Sequence, residues 1–174
     1  NKSIMGGKKV GFMSGTRRPM RWLLPLGAVL LCMGAVWLFS AQSGTLSSGL
    51  SRGVLGLIET ELPGFYALLA RWGRPEYLLR KLAHFSEYLL LGLLLYALLR
   101  RKFSPAVSAL LAVMLAAGFA LTDEWHQLSV PGRDGNLRDV LIDTAGAFTG
   151  AVLGCVLTGL RRLLARLRGR KPAA

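Results

Sequence analysis

The segment RKLAHFSEYLLLGLLLYALL, residues Arg80–Leu99, begins with ionisable side chains and continues as a long apolar run. Within residues 82–99, only His84 and Glu87 interrupt the apolar side chains. Crossing about 30 Å of hydrocarbon takes roughly 17–25 helical residues. The segment therefore predicts a membrane-spanning helix that carries polar groups near one end.

Three further stretches have the same length and character. They are residues 22–40, 105–122 and 140–160, and only Asp143 interrupts the last of them. Transmembrane strands would instead show about 9–11 alternating residues. We therefore predict an all-α integral membrane protein, a four-transmembrane-helix bundle, with one membrane domain at residues 22–160. Basic tails at residues 1–21 and 161–174 flank this domain.

The 41–80 segment joins the first two spans, and we predict that it is an amphipathic extracytoplasmic loop. Apolar residues recur at three- to four-residue spacing over residues 50–62, which predicts an interfacial helix. Ser47 or Ser48 would cap this helix. A second amphipathic stretch follows at residues 65–72.

The chain combines 52% hydrophobic residues with a net charge of +13. The two tails and the 100–102 loop carry 15 basic residues and no acid, whereas all nine acids lie in segments on the other side of the predicted membrane. The positive-inside rule then places both termini in the cytoplasm. The charge indicates orientation and contact with anionic membrane lipids, and we expect no nucleic-acid partner, because nucleic-acid binding would leave the hydropathy unexplained.

Ionisable groups gather at one end of three spans. Such a group inside a span costs about 2.5–3.5 kcal/mol on insertion scales, so it usually serves a purpose. The predicted topology brings these helix ends to the same outer surface, where they would form one pocket. The candidate catalytic residues are His84, Glu87, Glu124 and His126, and the candidate binding residues are Lys81, Asp123, Gln127, Arg133, Asp139 and Asp143.

The last span carries a stripe of small and acidic residues. Asp139, Asp143, Gly146, Gly150 and Gly154 are spaced three or four residues apart and share one helix face. Glycines at this spacing let another helix approach closely. The stripe predicts that the two carboxylates face the bundle interior, and its glycines are a candidate surface for oligomerisation.

The same residues also have structural interpretations. Asn136 and Asp139 have the spacing of an N-cap and its N3 acid, and His84 and Glu87 could pair with groups on neighbouring helices. We expect no cofactor. A divalent metal held by both histidines and carboxylates is weakly supported, because neither histidine lies in an H-x-x-x-H or H-E-x-x-H pattern.

Several short motifs follow one another in a definite order. They are FSAQS at 39–43, RKLAHFSEY at 80–88, DEWHQ at 123–127, PGR at 131–133, RDV at 138–140 and DTAG at 143–146. This set resembles the VanZ-like family of small bacterial membrane proteins, over roughly residues 22–160. That family is named after a protein associated with low-level resistance to the glycopeptide teicoplanin, although most members lie outside resistance clusters.

The resemblance implies a multi-pass protein of the bacterial cytoplasmic membrane that acts at the cell envelope. One hypothesis is that the pocket binds or shields a cell-wall precursor, a lipid-linked ligand or the glycopeptide, and so contributes to resistance. The alternative is a membrane-embedded acid/base hydrolase or transferase acting on a lipid-linked substrate, with His84 or His126 as base and Arg133 as anion clamp. A transporter ranks last, because the inner halves of the spans nearly lack polar residues.

Overall fold

A computed structural model describes residues 20–169 of the chain. Most of the predicted N-terminal tail, residues 1–19, and the end of the C-terminal tail, residues 170–174, therefore lie outside the described residues. The described part is all helical. Its helices are α1 (Met20–Ser40), α2 (Gly44–Glu61), α3 (Pro63–Trp72), α4 (Pro75–Leu99), α5 (Pro105–Gln127) and α6 (Leu137–Gly169). Four of them, α1, α4, α5 and α6, are long and apolar enough to cross a membrane, which confirms the predicted four-helix membrane bundle.

The long helices extend beyond the apolar stretches that revealed them. α4 begins at Pro75, seven residues before the predicted span, because proline is well suited to the first helical position. α5 continues through its polar end to Gln127, and α6 continues past residue 160 to Gly169. Hydropathy locates the hydrocarbon-crossing part of a helix, but polar and basic turns also satisfy their backbone groups internally and prolong it.

The amphipathic loop consists of two helices, α2 and α3. The predicted cap at Ser47 or Ser48 was wrong, because α2 starts earlier and the side chain of Ser43 accepts the Leu46 backbone N–H. Pro63 stands at the first turn of α3, directly after α2 ends. Both helices leave large apolar side chains exposed, as expected of helices that lie in a membrane interface.

Helix α4 is central to the bundle, and α6 packs against it more extensively than against α5. The close approach depends on the glycine stripe of α6. A Cβ atom built at Gly146 or Gly150 would overlap a backbone carbonyl of α4, and one built at Gly154 would overlap the Tyr96 ring. The stripe is therefore filled by α4 within one chain, which leaves no free surface there for a second copy.

The carboxyl ends of α1 and α5 and the amino ends of α4 and α6 meet at one end of the bundle, called here the polar end. Side-chain contacts join these ends directly, from α1 to α5 and from α4 to α6. Of the seven buried polar residues in the described chain, six lie at this end: Ser40, Asp123, Glu124, Gln127, Asp139 and Asp143. The fold thus places the predicted polar groups on neighbouring helix ends.

Candidate functional site

A cavity of about 310 Å³ opens at the polar end, between the end of α1, helix α2 and the start of α4. Its size lies at the lower end of the roughly 300–1,000 Å³ typical of ligand pockets. One wall is apolar and is formed mainly by α2 and α4. The ionisable side chains that line the cavity are Arg80, His84, Glu87 and Arg133.

His84 connects the cavity to a buried carboxylate. Its Nδ1 atom lies 3.5 Å from Oδ1 of Asp143, whose side chain is fully buried. The Nδ1 atom is itself buried, so the small exposed part of the imidazole comes from its other atoms. A proton on Nδ1 would point to Asp143 and leave the Nε2 lone pair available to a ligand.

Asp123, Gln127 and Ser40 form a buried hydrogen-bonded triangle between α5 and α1. The Ser40 hydroxyl donates to Oδ2 of Asp123 over 2.7 Å, and the Gln127 amide donates both to the Ser40 hydroxyl and to the same carboxylate oxygen. The i, i+4 spacing of Asp123 and Gln127 places them on one face of α5. Only Ser40 of these three lines the cavity.

Glu124 holds the connection between α5 and α6. Its Oε2 atom accepts the backbone N–H of Asn136 over 2.7 Å, and the Asn136 side chain in turn accepts the N–H of Arg138. The predicted N-cap at Asn136 is confirmed. Glu124 does not line the cavity.

Replacing Glu124 with alanine is expected to loosen the loop at residues 128–136. A hydrogen bond to a charged group contributes about 1.5–3 kcal/mol, and the Asn136 N–H would lose its acceptor. Glu124→Gln keeps an acceptor oxygen and should have a smaller effect. Hydrogen exchange of the 128–136 amides checks this prediction, and equal exchange in both variants would contradict it.

Arg133 ties the same loop to the end of α1. Its Nε atom donates to the Gln42 carbonyl and one terminal nitrogen donates to the Phe39 carbonyl, each over 3.1 Å. These carbonyls lie at the negative end of the α1 dipole, which favours a cation there. Burial lowers the pKa of the Arg133 guanidinium from its usual value, and the nearby charge of Arg80 adds to this effect.

Lys81 and His126 also lie away from the cavity. Lys81 forms an ion pair with Asp139, which joins the second turn of α4 to the first turn of α6. His126 stacks on Trp37, with ring centroids 4.3 Å apart. The spacing of residues at the end of α5 could not distinguish the face of His126 from that of Asp123.

Several buried polar atoms at the polar end have no hydrogen-bond partner in the described chain. They include the Tyr88 hydroxyl, one oxygen of Asp123, one of Glu124 and both oxygens of Asp143. The Tyr88, Asp123 and Asp143 side chains are fully buried. An unpaired polar group in a low-dielectric interior is costly, and bound water would satisfy these atoms.

The structure thus brings His84, Glu87 and Arg133 together at the cavity and places Asp143 directly behind His84. Sequence reasoning assigned no binding role to Arg80, Ser47 or Ser51, which also line the cavity. Arg80 could have been predicted, because it is the first residue of the 80–88 motif that contains His84. Nothing in the sequence indicated the two serines, because α2 was interpreted only as an interfacial helix.

The described residues contain no cluster of side chains that could hold the divalent metal considered above. Within residues 20–169, no three side chains of the His, Cys, Asp and Glu types lie close enough together to hold one ion. The two histidines sit on different faces, one beside Asp143 and the other on Trp37.

A family model described as VanZ/LLP1 matches residues 26–158, which cover most of the chain. A search of curated proteins and a search of solved structures each found no match.

Proposed function

Because the chain belongs to the VanZ/LLP1 family, we propose that it is an envelope protein that binds an amphiphilic ligand at the polar end of its bundle. The ligand would be a lipid of the outer leaflet, a lipid-linked cell-wall precursor or a glycopeptide. By binding or altering this ligand, the protein would contribute to teicoplanin resistance, as the family resemblance implies.

The cavity carries this proposal. It combines ionisable groups on α4 and on the 128–136 loop with an apolar wall that includes Leu50, Val54 and Leu79. Leu50 and Val54 are also largely exposed on α2. A pocket with few convergent polar groups and an adjoining apolar wall suits a molecule that has a polar head and a hydrocarbon chain.

We also propose that the polar end faces away from the cytoplasm of a bacterial cell. The opposite end carries the Arg100–Lys102 loop and the arginines of the last turns of α6. The positive-inside rule places such segments in the cytoplasm, together with both termini. The cavity would then open at the outer leaflet.

An acid/base enzyme acting on the same kind of substrate is the second candidate, and the pairing of His84 with Asp143 favours it. A buried carboxylate behind an imidazole is the arrangement that orients a general base and stabilises its protonated form. His84 would take a proton from an attacking water or hydroxyl, and Glu87 would act as the acid. His126 and Glu124 have no part in this version, because they lie outside the cavity.

Alanine replacement of His84 or Glu87 is expected to reduce teicoplanin tolerance to the level of cells that lack the protein. Both side chains line the cavity, and His84 also contacts the buried Asp143, so the comparison requires equal amounts of folded protein. The minimum inhibitory concentration, measured at matched membrane levels of the protein, checks this. Arg138→Gln is the control, since Arg138 is exposed at the same end and outside the cavity.

The proposed function would be overturned if the His84, Glu87 and Arg133 variants all left both teicoplanin sensitivity and envelope lipid composition unchanged. The enzyme candidate has a separate requirement. His84→Gln should then abolish a change in lipid composition while the lipid still binds, whereas a pure binding role predicts that both effects fall together.

A further inference from the structure

The cavity has an excess of positive charge. Two guanidinium groups line it, from Arg80 on α4 and Arg133 on the loop, and Glu87 is the only carboxylate of residues 20–169 that lines it. A guanidinium group carries one positive charge. The lining therefore has a net charge of about +1 with a neutral His84, and more if His84 is protonated.

The arginines retain unused hydrogen-bond donors. Among residues 20–169, Arg80 forms no ion pair, because the salt bridges there join Lys81 to Asp139 and His84 to Asp143. Arg133 uses Nε and one terminal nitrogen on backbone carbonyls, which leaves its other terminal nitrogen without a protein acceptor in the described chain. Two guanidiniums and a single carboxylate line the cavity, and this excess of positive charge favours an anion from outside.

The geometry favours a phosphate over a carboxylate. A single guanidinium fork satisfies both oxygens of a carboxylate, whereas a phosphate presents further oxygens to a second donor group. Here the two guanidiniums come from different elements, and the hydroxyls of Ser47 and Ser51 line the same space. Glu87 would accept a hydrogen bond from a hydroxyl next to the phosphate, as in a glycerol or sugar headgroup.

The apolar residues of the lining indicate which kind of molecule carries the phosphate. Leu50 and Val54 on α2 and Leu79 and Ala83 on α4 form a continuous apolar side beside the charged groups. A free phosphate would gain nothing from this surface, while each buried methylene of a lipid chain contributes about 0.8 kcal/mol. The outer faces of α2 and α3 are apolar and exposed, so the cavity borders the membrane interface.

We propose that the cavity binds a phosphate ester carried by a lipid chain, with Arg80 and Arg133 on the phosphate and the chain along the apolar wall of α2 and α4. This proposal rests on the proposed function and specifies its ligand. Arg80 is the phosphate-binding residue that has no ion-pair partner among residues 20–169. Arg133 has a double role, because it also ties the loop to α1.

The test uses the full chain in dodecyl maltoside, with lauroyl lysophosphatidic acid as the probe and native mass spectrometry as the readout. The comparison ligands are monolauroylglycerol, which lacks the phosphate, glycerol 3-phosphate, which lacks the chain, and lauric acid, which carries a carboxylate. Lysophosphatidic acid is expected to bind at least about tenfold tighter than each of them, because it alone combines a phosphate with a hydrocarbon chain.

Arg80→Gln is expected to weaken lysophosphatidic acid binding by about tenfold or more, with Arg80→Lys intermediate because it keeps the charge but loses the fork. Arg138→Gln removes the same charge from an exposed position outside the cavity and should leave binding unchanged. Size-exclusion chromatography of each variant shows that it is folded.

Equal binding of monolauroylglycerol or lauric acid, or an Arg80→Gln variant with wild-type affinity, would overturn the phosphate proposal. So would the absence of binding by lysophosphatidic acid. Failure here is distinguishable from failure of the proposed function. Ser51→Trp places a large side chain in the cavity. If this variant no longer binds monolauroylglycerol, the cavity is the binding site of an amphiphile, and only the phosphate proposal fails.

Discussion

Replacing Gly150 with alanine is expected to destabilise the protein by about 1–3 kcal/mol, whereas the same change at Gly159 is expected to stabilise it by about 0.5–1 kcal/mol. Both glycines belong to α6. A methyl group at Gly150 overlaps the carbonyl oxygen of Leu89, while at Gly159 it meets no atom within 4 Å. The two variants therefore differ in sign although the chemical change is identical.

The overlap at Gly150 is costly because its neighbour is backbone. A flexible side chain could rotate away from the added methyl, but the carbonyl of Leu89 can move only if α4 and α6 separate. Gly146 stands in the same position against the carbonyl of Phe85. Since α4 and α6 form the most extensive helix pair, a small separation affects the whole bundle.

Thermal unfolding in detergent, followed by circular dichroism and by recovery of the monomer on size-exclusion chromatography, measures both variants. At Gly159 only helix propensity changes, and alanine is the better helix former. If Gly150→Ala were as stable as the wild-type protein, α4 and α6 would not pack as described.

Replacing His84 with leucine is expected to destabilise the protein by roughly 1–3 kcal/mol, the usual cost of leaving a buried polar group without a partner. The Asp143 carboxylate is fully buried, and His84 Nδ1 at 3.5 Å is its only ion-pairing partner in the described chain. Without the imidazole, the carboxylate would have to remain uncompensated or take up a proton.

The double variant His84→Leu with Asp143→Leu is expected to recover most of this loss, because no polar group is then left unpaired. A double-mutant cycle on unfolding free energies measures the coupling. His126→Leu is the matched control, since it also removes an imidazole but loses only the stacking on Trp37, which is worth about 0.5–1.5 kcal/mol. Additive effects of the two single changes at His84 and Asp143 would refute the pairing.

The sequence indicated which polar residues lie near the polar end, but not which of them contact one another. The motif at residues 80–88 correctly placed His84 near one end of a span. Its helix spacing suggested Glu87 as a neighbour, and the structure adds Asp143 on a different helix. Ser40 is a comparable case, because nothing in its own segment indicates that it binds Asp123.

Sequence also grouped residues that the fold separates. Glu124 is adjacent to Asp123, and His126 is adjacent to Gln127. Even so, Glu124 binds the Asn136 backbone and His126 stacks on Trp37. Adjacent residues on a helix point about 100° apart, so a cluster in sequence at a helix end spreads around the axis. Which of them reaches a common cavity depends on the neighbours.

The number and order of the membrane helices were determined by the sequence alone, because hydropathy and length are local properties of each segment. The sidedness predicted from the basic segments has the same local origin. The tertiary structure decided which polar groups meet, because that depends on the rotation and height of each helix relative to the others. Close packing on the glycine stripe sets both for α4 and α6, and with them the position of His84 beside Asp143.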